Sequence, residues 1–237
     1  ENQVMVSLFA NNASGTSERG IMNRELILRM MSMAELRDPA ETGAHVQRVG
    51  AYSAEIYERW AMNKGLDDEE IKQTRDLIRL ASMLHDVGKV GIPDSILKKP
   101  GKLTEEEFDE IKKHTVYGAK LFNSITSDLD RMSLEIALNH HEKWDGRGYP
   151  GCIPELDKTC DPIETKEGEN IPNTARITAL ADVYDALFRR RSYKDAFEEE
   201  QVYEIIRESS GSHFDPEIVD AFFQITDVLR AIRLKFQ

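Results

Sequence analysis

The stretch LIRLASMLHD, residues 77–86, decides the fold. Leu77, Ile78, Ala81, Leu84 and His85 recur at three- and four-residue spacing, which puts them on one face of an α-helix. The same pattern reaches back to residue 68, so 68–85 reads as one helix that delivers an adjacent His85 and Asp86 at its end. Working outward, the period returns in about 23–38, 43–64, 104–112, 115–126, 129–143, 173–190, 197–209 and 216–235, and no stretch alternates as a strand does. Boundary residues agree. Thr104 with Glu107 makes a capping box, Gly211 stands where a helix should stop, and Asp215-Pro216 reads as N-cap and first helical residue. The expected fold class is therefore all-α, a helical bundle.

Two stretches interrupt the helices. Residues 87–103 are rich in Gly, Pro and Lys, and 145–172 carry repeated Gly and Pro with both cysteines, so each is expected to be a long loop. Residues 1–20 hold no lasting period and read as a linker or the tail of a missing upstream domain, with one domain over 21–237. An opening at Glu1 rather than Met suggests a piece of a longer chain.

Lys and Arg number 31 against 43 Asp and Glu, a formal charge of −12, which argues against DNA and anionic membrane as partners. An anionic ligand then needs a locally positive site, which clustered metal ions provide. Cys152 and Cys160 are too few for a disulfide framework, so a reducing cytoplasm is the expected compartment. No apolar run approaches the roughly 18 residues that a membrane span requires, and no leader is evident.

His45, His85, His114, His140 and His141 each have an acidic residue or another histidine within four positions. His85-Asp86 can offer an imidazole and a carboxylate to one ion, with a second carboxylate oxygen left to bridge to another. Glu41 and His45, four apart, share a helical face. Asp182 lies among apolar and small residues, where a carboxylate needs a partner. His140 and His141 diverge by about 100° on a regular helix, so both reach one site only if the helix is distorted or ends there, or if several ions cluster, and Glu142, Asp145, Gly146, Gly148 and Pro150 indicate that it ends there. Mixed imidazole and carboxylate ligands suit Fe, Mn, Ni or Zn better than Mg or Ca.

HDVGKVGIPDSILKKPGKLT at 85–104, HHEKWDGRGYP at 140–150 and RITALADVYDALFRRRSYK at 176–194 closely resemble the HD-GYP family, supported by RDPAETGAHVQRV at 37–49 and GSHFDPEIVDAF at 211–222. The resemblance implies a metal-dependent phosphodiesterase that hydrolyses cyclic di-GMP to pGpG and on to GMP. Its implied metal ligands are Glu41, His45, His85, Asp86, His114, His140, His141 and Asp182, with Asp86 bridging and Glu41 marking a third ion. Two or three divalent ions are expected, Fe or Mn first, Ni or Zn next. Lys89 would act with His85 and Asp86 at the scissile phosphate, and Tyr149, Arg191 and Lys194 would hold the dinucleotide. The implied partners are an upstream sensory or receiver domain and a diguanylate cyclase-type protein reached through the GYP loop. Two departures stand out, a slightly long segment between His45 and His85 and an insert at about 151–172, which bears on substrate choice. A phosphodiesterase for cyclic GMP-AMP and a catalytically silent sensor remain alternative readings.

Overall fold

Helix α1 (Gly43–Lys64) buries Val46, Val49, Tyr52 and Ile56, spaced three and four residues apart, and the rest of the bundle assembles on that stripe. The structure is a computed structural model and describes residues 43–157, 165–188 and 197–236. The readings made for residues 1–20, the helix at about 23–38, Glu41, Arg191, Lys194, Cys160 and the middle of the insert lie outside them. Chain order continues with α2 (Asp68–Ser82), a 3-10 turn (Val87–Gly91), α3 (Asp94–Leu97), α4 (Glu105–Lys112), α5 (His114–Lys120) and α6 (Asp128–Asn139). A second 3-10 turn (Gly168–Asn170), α7 (Asn173–Leu187), α8 (Glu199–Glu208), α9 (Pro216–Phe223) and α10 (Thr226–Lys235) follow. No strand occurs among the described residues, where Ser210 and Phe214 form an isolated bridge.

α1 packs against α2, α7, α9 and α10. The fully buried ring of Tyr184 on α7 lies edge-on to Tyr52 of α1 and to Phe222 of α9, each at 5.0 Å between centroids. Such edge-to-face pairs add about 0.5–1.5 kcal/mol beyond the area they bury. Alongside, Ser82 and Thr178 meet through their hydroxyls at 2.8 Å, tying α2 to α7 one turn before the residues that each helix delivers to the site.

The helix ends follow local chemistry. Asp67, Thr104, Ser127 and Asp215 each accept a backbone N–H at a helix start, and the Thr104/Glu107 capping box is present as expected. Gly211 takes φ 76° just beyond α8, a conformation that its missing Cβ makes cheap. Differences from the sequence reading lie at these boundaries. The 87–103 loop contains a 3-10 turn and the short α3, the helix expected to reach 126 stops at Lys120, and the last one divides at Gln224-Ile225. The helix expected over 129–143 ends at Asn139, which leaves His140 and His141 beyond its regular part. Cys152 is disulfide-bonded, a correction to the thiol expected in the loop.

The turn after α2 is locked against α5 by close backbone approach. A Cβ on Gly88 would fall 1.9 Å from the His114 carbonyl oxygen and 2.3 Å from the Gly118 nitrogen, so only glycine fits. Gly88→Ala must push α5 away, and we expect it to cost at least about 1–3 kcal/mol of stability. Gly118→Ala, whose added carbon would meet Ala137 Cβ at 3.2 Å, should cost less. Urea denaturation of both variants checks the order; equal stability of Gly88→Ala and the parent protein would contradict the packing.

Candidate metal centre

Four histidines are set by the same device. His85 follows the end of α2, and its Nδ1–H donates to the Ser82 carbonyl at 2.8 Å. His114 opens α5 and donates to the Ile111 carbonyl at 2.6 Å. His140 caps α6 and shares its Nδ1–H between the Ile136 and Ala137 carbonyls at 3.1 and 3.2 Å. His45 on α1 donates to the Asp185 carboxylate at 2.8 Å. A carbonyl oxygen only accepts, so the proton must sit on Nδ1 and Nε2 carries its lone pair inward.

Those inward atoms form two groups. Donor atoms of Asp86, His114, His140 and His141 all lie within 4.8 Å of one another, and so do those of His45, His85 and Asp182. Asp86 joins them. Its Oδ1 lies 3.1 Å from His114 Nε2 and 3.6 Å from His140 Nε2, while its Oδ2 lies 3.2 Å from His85 Nε2 and 2.9 Å from Lys89 Nζ. Asp182 Oδ1 is 3.5 Å from His45 Nε2 and 3.9 Å from His85 Nε2.

This chemistry fits cations. His114 Nε2 and His140 Nε2 stand 3.4 Å apart with both rings' protons committed elsewhere, so two lone pairs face each other, and the buried Asp86 Oδ1 has no aligned hydrogen bond beside them. A positive ion between these atoms removes both penalties. Burial drives the His141 imidazole well below its ordinary pKa and lowers that of His140, which keeps both neutral as ligands must be. For Asp86, burial opposes ionisation, but the Lys89 charge beside it is the leading opposing cause and the carboxyl is held well below the usual range.

Of the residues picked from the sequence, His45, His85, Asp86, His114, His140, His141 and Asp182 converge, and Lys89 reaches Asp86. The early end of α6 brings the adjacent histidines together, with ring centroids 4.1 Å apart. Tyr149 stacks on His141 at 4.7 Å and 27°. Its loop is fixed from below. Gly148 approaches the Glu142 backbone so closely that a Cβ would fall 2.4 Å from Glu142 Cα, and the buried Glu142 carboxylate accepts the Gly151 N–H at 2.6 Å. Trp144 and Asp145 donate their backbone N–H groups to the His213 and Ser212 carbonyls.

The sequence reading missed Asp185 and Arg48. Asp185 holds His45, and Arg48 clamps Asp185 through both carboxylate oxygens, at 2.5 and 3.0 Å, while also donating to the Phe236 carbonyl at 2.6 Å. The available signal was an acid three residues after Asp182 on an otherwise apolar helix face. Such outer partners fix ring orientation, and losing one typically costs about 10–100-fold in metal affinity. Asp185→Asn should therefore lose metal on the His45 side while the protein keeps its helical circular dichroism; metal analysis showing full occupancy would contradict this role.

His140, His141 and the sixth histidine, His213, are all held neutral, His213 with a pKa pushed down to about 4 by burial and by Lys143. In the unfolded chain these imidazoles titrate near about 6.5, so below that value the unfolded state binds more protons and stability falls with pH. Depression of Asp86 acts in the same direction at lower pH. Chelator-treated protein should accordingly lose stability steadily from about pH 7 to about pH 5. Denaturation midpoints that stay level over that window would contradict neutral buried rings.

An HD domain model matches residues 29–218. A 3′3′-cGAMP-specific phosphodiesterase of Vibrio cholerae is 44% identical over 211 residues, covering 89% of this chain and 36% of the relative. A cyclic di-GMP phosphodiesterase of the same organism is 40% identical over 241 residues, covering 100% of this chain and 45% of the relative. The chain thus spans less than half the length of these two curated relatives. Among solved structures, a cyclic GMP-AMP-specific phosphodiesterase from V. cholerae superposes with a TM-score of 0.54 at 18% identity, over 87% of this chain and 53% of that one, and it shares the fold. With the helical bundle, the His85-Asp86 pair and the HHEKWDGRGYP motif at 140–150, the chain belongs to the HD domain family, in its HD-GYP branch.

Proposed function

We propose that this domain is a metal-dependent phosphodiesterase that opens a cyclic dinucleotide, cyclic di-GMP first, to pGpG and onward to GMP. The observation that carries the reading is the carboxylate of Asp86, whose two oxygens face different groups of imidazoles. Two divalent ions, Fe or Mn before Ni or Zn, would be held by His45, His85, Asp86 and Asp182 on one side and by Asp86, His114, His140 and His141 on the other. Ions held there supply Lewis acidity toward the phosphate and a nucleophile at neutral pH.

The chain's own residues then orient and neutralise. Lys89, on the turn that follows Asp86, carries an ammonium beside the shared carboxylate and would offset charge on the scissile phosphate or its departing oxygen. Tyr149, stacked on His141, suits a substrate contact. Arg191 and Lys194 are assigned to the second phosphate by the family resemblance, where guanidinium geometry favours a bidentate grip. Glu41, four residues before His45, would add a third ion.

Cyclic GMP-AMP is the second reading, favoured by the 44% identical relative named for that substrate. Phosphate and metal contacts do not separate guanine from adenine. A silent sensor fits less well, since sensing needs no two groups of converging ligands. Regulation by an upstream sensory or receiver domain and engagement of a diguanylate cyclase-type partner through the 140–150 loop complete the proposal. No helix among the described residues is long and apolar enough to cross a membrane.

One experiment tests the chemistry and the ion count together, with metal stoichiometry and products measured in parallel for the parent protein and two variants. Asp86→Ala should abolish hydrolysis of cyclic di-GMP and reduce bound metal on both sides. Glu41→Gln should release one ion, keep two and let pGpG accumulate. Near-normal turnover by Asp86→Ala would overturn the bridging role, and an unchanged metal count with normal GMP production in Glu41→Gln would reduce Glu41 to a neighbouring carboxylate.

A further inference from the structure

Helix α4 holds an aromatic ring at the edge of the metal centre. Its start is fixed by the Thr104/Glu107 capping box, and Lys99 pins Glu107 through both carboxylate oxygens at 2.6 and 2.8 Å. None of its side chains is buried, and Phe108 is 45% exposed. An aromatic ring kept in water on so firmly anchored a helix contributes little to the core, although burying such a side chain is ordinarily among the larger apolar gains.

The ring has definite neighbours. Phe108 stands edge-on to Tyr149, centroids 6.3 Å apart at 80°, and Tyr149 is stacked on His141. Three rings thus step outward from the ligand group containing Asp86 to the surface. Lys112, one turn on and paired with Asp109 at 2.8 Å, places its ammonium 4.8 Å from the Phe108 centroid and 5.9 Å from that of Tyr149. That cation steadies the ring and puts positive charge beside both rings, which favours an anionic ligand there.

We propose that Phe108 is the stacking surface for a purine base of the substrate, with Tyr149 as its inner wall. The inference rests on the functional reading above and adds a base subsite to it. A dinucleotide whose phosphate reaches Asp86 and Lys89 must direct its bases away from the ions, and this line of rings leads away from them. Every base has a π-face, so the surface accepts guanine and adenine alike and sets affinity rather than base choice.

The test measures KM, kcat and bound metal for the parent protein, Phe108→Ala, Phe108→Leu and Phe108→Trp, with cyclic di-GMP and cyclic GMP-AMP as substrates. Losing a base stack typically weakens binding by roughly fivefold to a hundredfold. Phe108→Ala should therefore raise KM by that factor on whichever substrate turns over, with the loss falling on KM rather than kcat and metal content unchanged. Phe108→Trp should restore KM, and Phe108→Leu should not. A KM within twofold of the parent in Phe108→Ala, equal rescue by Leu and Trp, or loss of metal would each overturn the stacking role while the phosphodiesterase reading stands. If the parent protein, fully loaded with metal, hydrolyses neither dinucleotide, the functional reading itself falls, and the subsite with it.

Discussion

The arrangement depends on one carboxylate placed between imidazoles that belong to different helices. Asp86 can show Oδ1 to His114 and His140 and Oδ2 to His85 only because it leaves α2 on a tight turn. That turn is seated against α5 at Gly88, where no side chain fits. Packing of the turn and placement of the site are therefore the same constraint.

Holding so many nitrogen and oxygen atoms together in a dry interior is unfavourable without compensation. The protein meets part of this cost by giving the Nδ1–H of His45, His85, His114 and His140 an acceptor from its own helices or from Asp185. The inward nitrogens are left electron-rich and facing one another, which suits the divalent ions that HD phosphohydrolases bind. Arg48 extends the arrangement by clamping Asp185 and the Phe236 carbonyl, so the last helix is connected to a candidate ligand through two side chains.

The loop at 140–150 shows how irregular backbone is fixed around such a site. Its residues are held by backbone bonds to Ser212 and His213, by Glu142 on Gly151 and by the close approach of Gly148. Tyr149 is thereby set on His141, with Phe108 approaching from α4.

Most of the helical architecture was legible in the sequence, because the 3.6-residue period and the caps at Thr104 and Asp215 are local properties that each segment carries alone. Candidate ligands were legible too, since the histidines near acids and the HD and GYP motifs are unusual in composition. Which oxygen of Asp86 faces which ring, the role of Asp185 behind His45 and the seat of Phe108 beside Tyr149 were not legible. Those relations join residues far apart in the chain, and they exist only once α1, α2, α5, α6 and α7 have packed. The end of α6 lies between the two cases: Glu142, Asp145 and the following Gly and Pro residues signal locally that the helix stops at the histidine pair, as it does after Asn139, but that His140 and His141 then turn into one site with Asp86 and His114 is decided only by the packing of α2, α5 and α6.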